Sequence, residues 1–265
     1  MDSMRRLLDI MAKLRDPLDG CPWDQRQTFA TIVPYTLEEA YEVADAIDRS
    51  DMPELRDELG DLLFQIVFYS QIAREQGHFD FDDVAQGICD KMVRRHPHVF
   101  GEAQYSDDAA LREAWEQHKA AERERRKEPE QPASQLDGVA RALPALVRAE
   151  KLQRRAARVG FDWPDPRGAF EKTREEFDEV AAELDAGHPD SLQDELGDML
   201  FAMVNVVRLL GFDAEQVLSH ANGKFERRFR RMEQFRHAAG GRLDELALDE
   251  LEALWARAKR AEADE

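Results

Sequence analysis

Residues 175–198 read EEFDEVAAELDAGHPDSLQDELGD, and this stretch decides how the chain is expected to fold. Helix positions three and four apart share a face, so each end of the stretch places two carboxylates together. The Gly-His-Pro tripeptide between them predicts a turn that sends the second helix back along the first. The sequence therefore predicts a helical hairpin on which two carboxylate pairs meet at the same height: Glu176 with Glu179, and Glu195 with Asp198.

Four carboxylates on an otherwise apolar hairpin repel one another and lose hydration, a large penalty unless a counter-charge offsets it. A divalent cation that prefers oxygen ligands supplies that offset. Di-iron bundles use Glu-x-x-His pairs, whereas a carboxylate stands three residues after both Glu176 and Glu195 here. All-oxygen ligands favour magnesium or manganese. The alternative for a single EExxE motif is an ordinary solvated acidic face.

The same pattern occurs twice in the chain. Residues 57–64 read DELGDLLF and residues 194–201 read DELGDMLF, an offset of 137 positions. The offset also aligns the EExxE motif at 38–42 with the one at 175–179. We interpret this as a duplication, because the spacing between the two motifs is the same in both halves. The first copy of the carboxylate set is Glu39, Glu42, Glu58 and Asp61.

Hydrophobic spacing near 3.6 residues predicts an all-α protein, and no stretch is typical of a strand. Helices are expected at 2–15, 29–48, 54–75, 81–95 and 107–125, with a loop at 16–24, and then at 139–158, 167–186, 190–210, 214–238 and 246–262. A charged, proline-containing segment at 126–137 has the composition of a linker. We therefore expect two domains, 1–125 and 138–265, of which the second is expected to be catalytic.

Composition excludes some classes of function. The 265-residue chain has a net charge of −19, which argues against a nucleic-acid partner. Its two cysteines suggest a reducing compartment, and its most apolar runs are interrupted by polar residues. We expect no membrane span and a cytoplasmic location.

Several further residues have both a structural and a functional interpretation. Thr36 and Thr173 each precede a glutamate by three residues, as in a helix-capping box, but Asp165-Pro166 predicts an earlier start for the second helix. Lys172, Lys224 and Arg228 are either a solvated basic face or the cations that the outer phosphates of a triphosphate require. Trp255 is either a core residue or a stacking platform for a base.

Taken together, these motifs resemble a known family. The chain resembles the tandem-domain MazG nucleoside triphosphate pyrophosphohydrolases in several motifs. These are the two pairs of EExxE and ELGD, GCPWDxxQT at 20–28 and NxKFERRF at 222–229. The likeness covers nearly the whole chain. It implies two tandem MazG-like helical bundles, a homodimer, and magnesium-dependent hydrolysis of NTPs and dNTPs to the monophosphate and pyrophosphate.

The resemblance also assigns residues. Glu176, Glu179, Glu195 and Asp198 match the family's metal ligands, and Lys172, Lys224, Arg228 and Trp255 match its nucleotide-contacting positions. The first copy keeps its four carboxylates but departs elsewhere: Cys89 stands at the position of Asn222, and Trp115 is the candidate counterpart of Trp255.

A mechanism follows from these parts. A carboxylate, Glu175 or Glu176, orients a water that attacks the α-phosphorus, and pyrophosphate leaves with its charge spread over magnesium and basic side chains. The competing hypothesis is a non-catalytic helical scaffold or regulatory protein with a structural cation. The apolar helical segments at 59–68 and 196–210 have more apolar surface than one hairpin can cover, which predicts a homodimer.

Overall fold

The computed structural model describes residues 2–107, 110–111, 114–115 and 134–263. These residues form helices, turns and loops, with no strand among them, which confirms the predicted all-α class. The chain folds as two compact units, Met1–Glu122 and Arg123–Glu265. Within the described residues, every helix is too polar or too short to cross a lipid bilayer.

The first unit contains six described helices: α1 (Asp2–Leu14), α2 (Pro22–Arg26), α3 (Phe29–Asp48), α4 (Met52–Glu75), α5 (Phe81–Arg95) and α6 (Pro97–Phe100). Helices α3 and α4 pack along each other as a hairpin, and α1 packs on α4. A cluster of buried apolar side chains fills the space between these three helices: Met11, Ile32, Val67, Phe68 and Ile72. The core of this unit is therefore built on the hairpin that carries its carboxylates.

The second unit repeats this plan with α7 (Ala145–Ala157), α8 (Pro166–Ala186), α9 (Pro189–Leu209), α10 (Ala214–Ala238), a 3-10 turn (Leu243–Glu245) and α11 (Leu248–Ala263). Asp165 caps α8 by accepting hydrogen bonds from the backbone N–H groups of Arg167 and Gly168. Gly187 ends α8 in the left-handed conformation, with φ of 72°. The next helix begins two residues later, so α8 and α9 form the predicted hairpin.

Some predicted boundaries were wrong. The helix expected from 139 begins only at Ala145, because Pro144 occupies the N-cap position and disfavours helical backbone in the residue before it. The loop expected at 16–24 contains the start of α2, for which Pro22 provides a suitable first residue. The Thr36 capping box is also wrong, since α3 begins at Phe29 with Thr28 and Thr31 as its capping pair.

Two expectations fall largely outside the described residues. Of the helix expected at 107–125, only 107, 110–111 and 114–115 are described, and of the linker expected at 126–137 only 134–137.

Candidate functional site

The α8–α9 hairpin brings three carboxylates together. One oxygen from each of Glu176, Glu179 and Glu195 lies within 4.8 Å of the others. Glu176 is only 6% exposed, so its charge is held largely away from water. Asp198, expected as the fourth ligand, is exposed one turn after Glu195 and is not in this compact group. We refer to Glu176, Glu179 and Glu195 as the second-copy cluster.

A single lysine faces this cluster from α8. The Nζ atom of Lys172 lies 2.9 Å from Oε1 of Glu175 and 2.9 Å from Oε1 of Glu176. These two carboxylates raise the pKa of Lys172. Desolvation by neighbouring groups raises the pKa of Glu179, and its hydrogen bond with Glu176 adds to this effect. Bringing these carboxylates together is therefore unfavourable, and Lys172 compensates only part of their charge.

The α3–α4 hairpin forms a similar group, which contains Asp61 where the second-copy cluster contains Glu179. Oxygens from Glu39, Glu58 and Asp61 lie within 4.8 Å of one another, and we call these residues the first-copy cluster. Burial raises the pKa of Glu39, and the negative charges of Asp61, Glu42 and Glu58 raise it further. Glu42 therefore acts on this cluster electrostatically although it lies outside the compact group.

The two clusters differ in the side chains that contact them. Tyr35 stands where the second copy has Lys172, and its ring makes an edge contact with Trp23 at 5.9 Å between centroids. The Nε2 atom of the buried Gln65 donates to Oε1 of Glu39 at 3.5 Å, whereas the second copy has Ala202 at that position. A cation thus faces the second-copy cluster, and a neutral amide faces the first.

Thr173 and Gly197, which lie next to the cluster residues in sequence, have ordinary structural surroundings. The Thr173 hydroxyl donates to the Ala169 carbonyl oxygen at 3.0 Å and is therefore used inside the helix. A Cβ at Gly197 would meet no described atom within 4 Å, so packing among the described residues does not require glycine there.

The predicted nucleotide-contacting residues of α10 and α11 form a second group. Trp255 is half-buried, with its ring centroid 5.2 Å from that of Phe225 and 5.9 Å from the guanidinium carbon of Arg228. Lys224 is half-buried and makes no ion pair with any described residue.

Sequence reasoning missed the partner of Arg228. The Nε atom of Arg228 donates to Oε2 of Glu262 at 2.5 Å, and Arg227 reaches the same carboxylate at 3.2 Å. Arg228 holds the pKa of Glu262 below its usual range. Glu262 follows Trp255 by seven residues, which places both on one face of α11, but this local spacing does not say which residue of another helix meets that face.

The fold and the site thus define an all-α protein with two units, each carrying an acidic centre on a helical hairpin. A family model described as the MazG nucleotide pyrophosphohydrolase domain matches residues 27–100 and 166–232. Each match contains one carboxylate cluster, and the second also contains Lys224 and Arg228. The chain therefore belongs to the MazG family, as the motifs indicated.

Relatives align along the full chain. The nucleoside triphosphate pyrophosphohydrolase of Escherichia coli (strain K12) is 50% identical over 266 residues, which cover 100% of both chains. The nucleoside triphosphate pyrophosphohydrolase/pyrophosphatase MazG of Thermotoga maritima is 42% identical over 96% of this chain and 94% of its own. Among solved structures, a mazG-related protein from Thermotoga maritima covers 44% of this chain and 98% of its own, with 26% identity and a TM-score of 0.37.

Proposed function

We propose that the chain hydrolyses nucleoside triphosphates, both NTPs and dNTPs, to the monophosphate and pyrophosphate in a magnesium-dependent reaction. The observation that carries this proposal is the second-copy cluster with Lys172 beside it, in a member of the MazG family. The E. coli and T. maritima relatives are named nucleoside triphosphate pyrophosphohydrolases, and each aligns with this chain over nearly its whole length.

The donor chemistry of the cluster fits a hard divalent cation. Glu176, Glu179 and Glu195 offer carboxylate oxygens only, which suits magnesium, with manganese as the alternative. When bound there, the cation would neutralise negative charge on the triphosphate. Asp198 lies one turn along α9 from Glu195, so a change of its side-chain rotamer can bring a fourth carboxylate toward the site.

Glu175 is the best candidate to orient the attacking water. Its side chain is 60% exposed and is held by Lys172, whereas the Glu176 side chain is 8% exposed and belongs to the cluster. Glu175 accepts a proton from the water as the water oxygen bonds to the α-phosphorus. The bond from that phosphorus to the α–β bridging oxygen breaks, and pyrophosphate leaves with this oxygen.

Lys224 and Arg228 are assigned to the departing phosphates, and Trp255 is assigned to a contact with the nucleotide. A phosphate must compete with Glu262 for Arg228, because this guanidinium is already paired. The Trp255 ring packs beside the same guanidinium and limits its movement. Lys224 supplies a second cation on α10, one helical turn before Arg228.

The proposal includes assembly and cellular context. Large apolar side chains are exposed on α8 and α9, which supports a homodimer that would cover them: Phe170, Phe177, Leu184, Leu196, Leu200, Met203 and Leu210. We place the activity in the cytoplasm, where the substrates are, and assign it a role in maintaining the nucleotide pool.

The test is to incubate the purified chain with magnesium and a panel of NTPs and dNTPs and to identify both products. We expect monophosphate and pyrophosphate from several substrates, and loss of turnover after chelation. Release of orthophosphate and a diphosphate would place attack at the γ-phosphorus and contradict the mechanism. Cation binding without any hydrolysis would favour the structural-cation scaffold.

A further inference from the structure

The first-copy cluster has no positively charged partner in its own unit. Oxygens of Glu39, Glu58 and Asp61 lie within 4.8 Å of one another, and no lysine or arginine among the described residues forms an ion pair with any of them. In the second unit, the ammonium of Lys172 lies 2.9 Å from Oε1 of Glu176 and compensates part of the corresponding charge. Because three neighbouring carboxylates without a counter-charge are unfavourable, a cation from outside the unit would stabilise the first-copy cluster.

The arginines of the α3–α4 hairpin are used elsewhere. Arg49 pairs with Asp45 at 2.7 Å and with Glu54 at 2.8 Å. Arg56 pairs with Asp57 at 2.9 Å. Both guanidinium groups are therefore engaged by carboxylates that lie outside the cluster, and the cluster remains available for a cation that the hairpin does not supply.

Two exposed aromatic rings stand where the second unit has its lysine. Tyr35 lies one helical turn before Glu39, at the position of Lys172. Tyr35 and Trp23 are 39% and 43% exposed, and their ring centroids are 5.9 Å apart in an edge-to-face arrangement. Aromatic rings attract cations, because the face of the ring has a negative electrostatic potential. The first unit therefore has a wall that attracts cations at the point where the second unit has a cation of its own.

A buried amide is aimed at the same cluster. Gln65 on α4 is 6% exposed, and its Nε2 atom lies 3.5 Å from Oε1 of Glu39, which is long for a hydrogen bond. Its Oε1 atom is buried and has no hydrogen-bond partner among the described residues. A half turn of the amide exchanges its two ends and presents Oε1, in the place of Nε2, to a cation held by Glu39. The second unit has Ala202 at this position and lacks such a group.

The number of carboxylates matches a primary ammonium group. Such a group has three N–H donors, and the first-copy cluster offers three carboxylates. A methylene chain attached to the ammonium can lie along the exposed rings of Tyr35 and Trp23, as the stems of lysine side chains lie on apolar surfaces. Magnesium keeps several of its water molecules and gains little from an apolar wall. A primary aliphatic amine therefore uses more of this site than magnesium does.

We propose that the first unit binds a primary aliphatic amine of the polyamine class. Its terminal ammonium donates hydrogen bonds to the first-copy cluster, and the adjoining methylene groups pack against Tyr35 and Trp23. The ammonium thereby takes the place that Lys172 has in the second unit. This inference goes beyond the proposed function, because it assigns a ligand to the unit to which catalysis is not assigned.

Isothermal titration of the full chain with 1,4-diaminobutane, without any divalent metal, tests the site. Tyr35→Lys should bind at least about tenfold more weakly, because the new ammonium copies Lys172 and pairs with the cluster from within. Asp61→Asn should also bind at least about tenfold more weakly, because it removes one of the three carboxylates. The matched control is Asp57→Asn, which removes an exposed carboxylate of the same helix that pairs with Arg56, and it should bind like the parent chain.

The aromatic wall and the N–H donors are tested separately. Trp23→Ala should weaken binding of diaminobutane about threefold, because the ligand loses a ring beside its methylene chain and its charge. Tetramethylammonium keeps the charge but has no N–H donor, so the parent chain should bind it at least about tenfold more weakly than diaminobutane. Equal affinity for the two ligands would contradict the hydrogen bonds to the carboxylates.

Thermal unfolding provides a second readout. Diaminobutane should raise the unfolding temperature of the parent chain and of Asp57→Asn, but not that of Tyr35→Lys. Absence of binding to the parent chain would overturn the proposal, and so would parental affinity in folded Tyr35→Lys and Asp61→Asn. An equal loss in Asp57→Asn would indicate unspecific attraction to an acidic surface, and magnesium that diaminobutane does not displace would indicate a metal site instead. None of these measurements uses NTP hydrolysis, so their failure would leave the proposed function intact.

Discussion

The two hairpins of this chain hold the same carboxylates in different surroundings. In α3–α4, Tyr35 and Gln65 are the counterparts of Lys172 and Ala202, and Phe68 closes the core. In α8–α9, Lys172 pairs with Glu176, and a cavity remains beside Asn205. Both units keep an acidic cluster and an arginine beside a tryptophan, Arg95 with Trp115 and Arg228 with Trp255. Among the described residues, a lysine pairs with the cluster only in the second unit.

From this contrast we expect that the carboxylates alone do not make a nucleotide site. Three oxygens within 4.8 Å occur in both units, so cation binding does not distinguish them. Orienting a triphosphate needs further contacts, and a misplacement of about 1 Å can cost a hundredfold in rate. The units should therefore differ in turnover more than in cation binding.

The largest difference in turnover is expected between matched substitutions in the two carboxylate clusters. Glu195→Ala should lower turnover at least about a hundredfold, because it removes a carboxylate from the cluster that pairs with Lys172, in the unit to which we assign catalysis. Asp198→Ala should do the same. Glu58→Ala and Asp61→Ala, at the equivalent positions, should leave most of the activity. Pyrophosphate release from folded dimeric variants is the measurement. The reverse pattern would assign catalysis to the first unit.

A swap of Phe68 and Asn205 tests whether the second unit has space at the position that the first unit fills. Phe68→Asn should lower the free energy of unfolding by about 3–5 kcal/mol, because it leaves a void and buries an amide. Asn205→Phe should lower it by less than Phe68→Asn does, about 1–3 kcal/mol, since the ring enters existing space but removes an acceptor of Arg208. Urea unfolding of the full chain measures both. Equal destabilisation would mean that the second unit is as tightly filled as the first.

An exchange of Lys172 and Tyr35, which occupy equivalent positions in the two units, tests the role of the lysine charge. Lys172→Tyr, which copies the first unit, should reduce kcat/KM about tenfold or more, because it removes the charge-assisted hydrogen bonds to Glu175 and Glu176. Tyr35→Lys should leave turnover within about twofold, since catalysis is assigned to the other unit. Steady-state kinetics with one NTP is sufficient. An unchanged rate in Lys172→Tyr would show that the lysine serves only to stabilise the cluster.

The smallest effect concerns ion pairs outside the clusters. Glu262→Gln should lower KM about threefold, because it releases Arg228 from a partly exposed ion pair that contributes little. The matched control is Glu75→Gln, which breaks the Arg15–Glu75 pair of the first unit and should leave KM unchanged. A rise in KM for Glu262→Gln would indicate that this carboxylate positions Arg228 for the substrate.

Most of the fold could be predicted from the sequence because helices are local structures. The bounds of α3, α5 and α10 agree with the predicted 29–48, 81–95 and 214–238. The prediction failed at Pro144. The apolar pattern continues across this position, but proline does not allow a continuous helix there. It failed again at Thr36, because the real capping pair lies two turns earlier.

The sequence by itself determined the hairpins, their duplication and the register of their carboxylates, since spacings of three and four residues fix which side chains share a helical face. Only the tertiary structure decided which groups meet those carboxylates and where space remains. Gln153 bonds to the backbone of a residue 48 positions away, and Arg228 to a carboxylate 34 positions away. Such contacts depend on how whole helices pack against one another, and no local pattern in the chain encodes them.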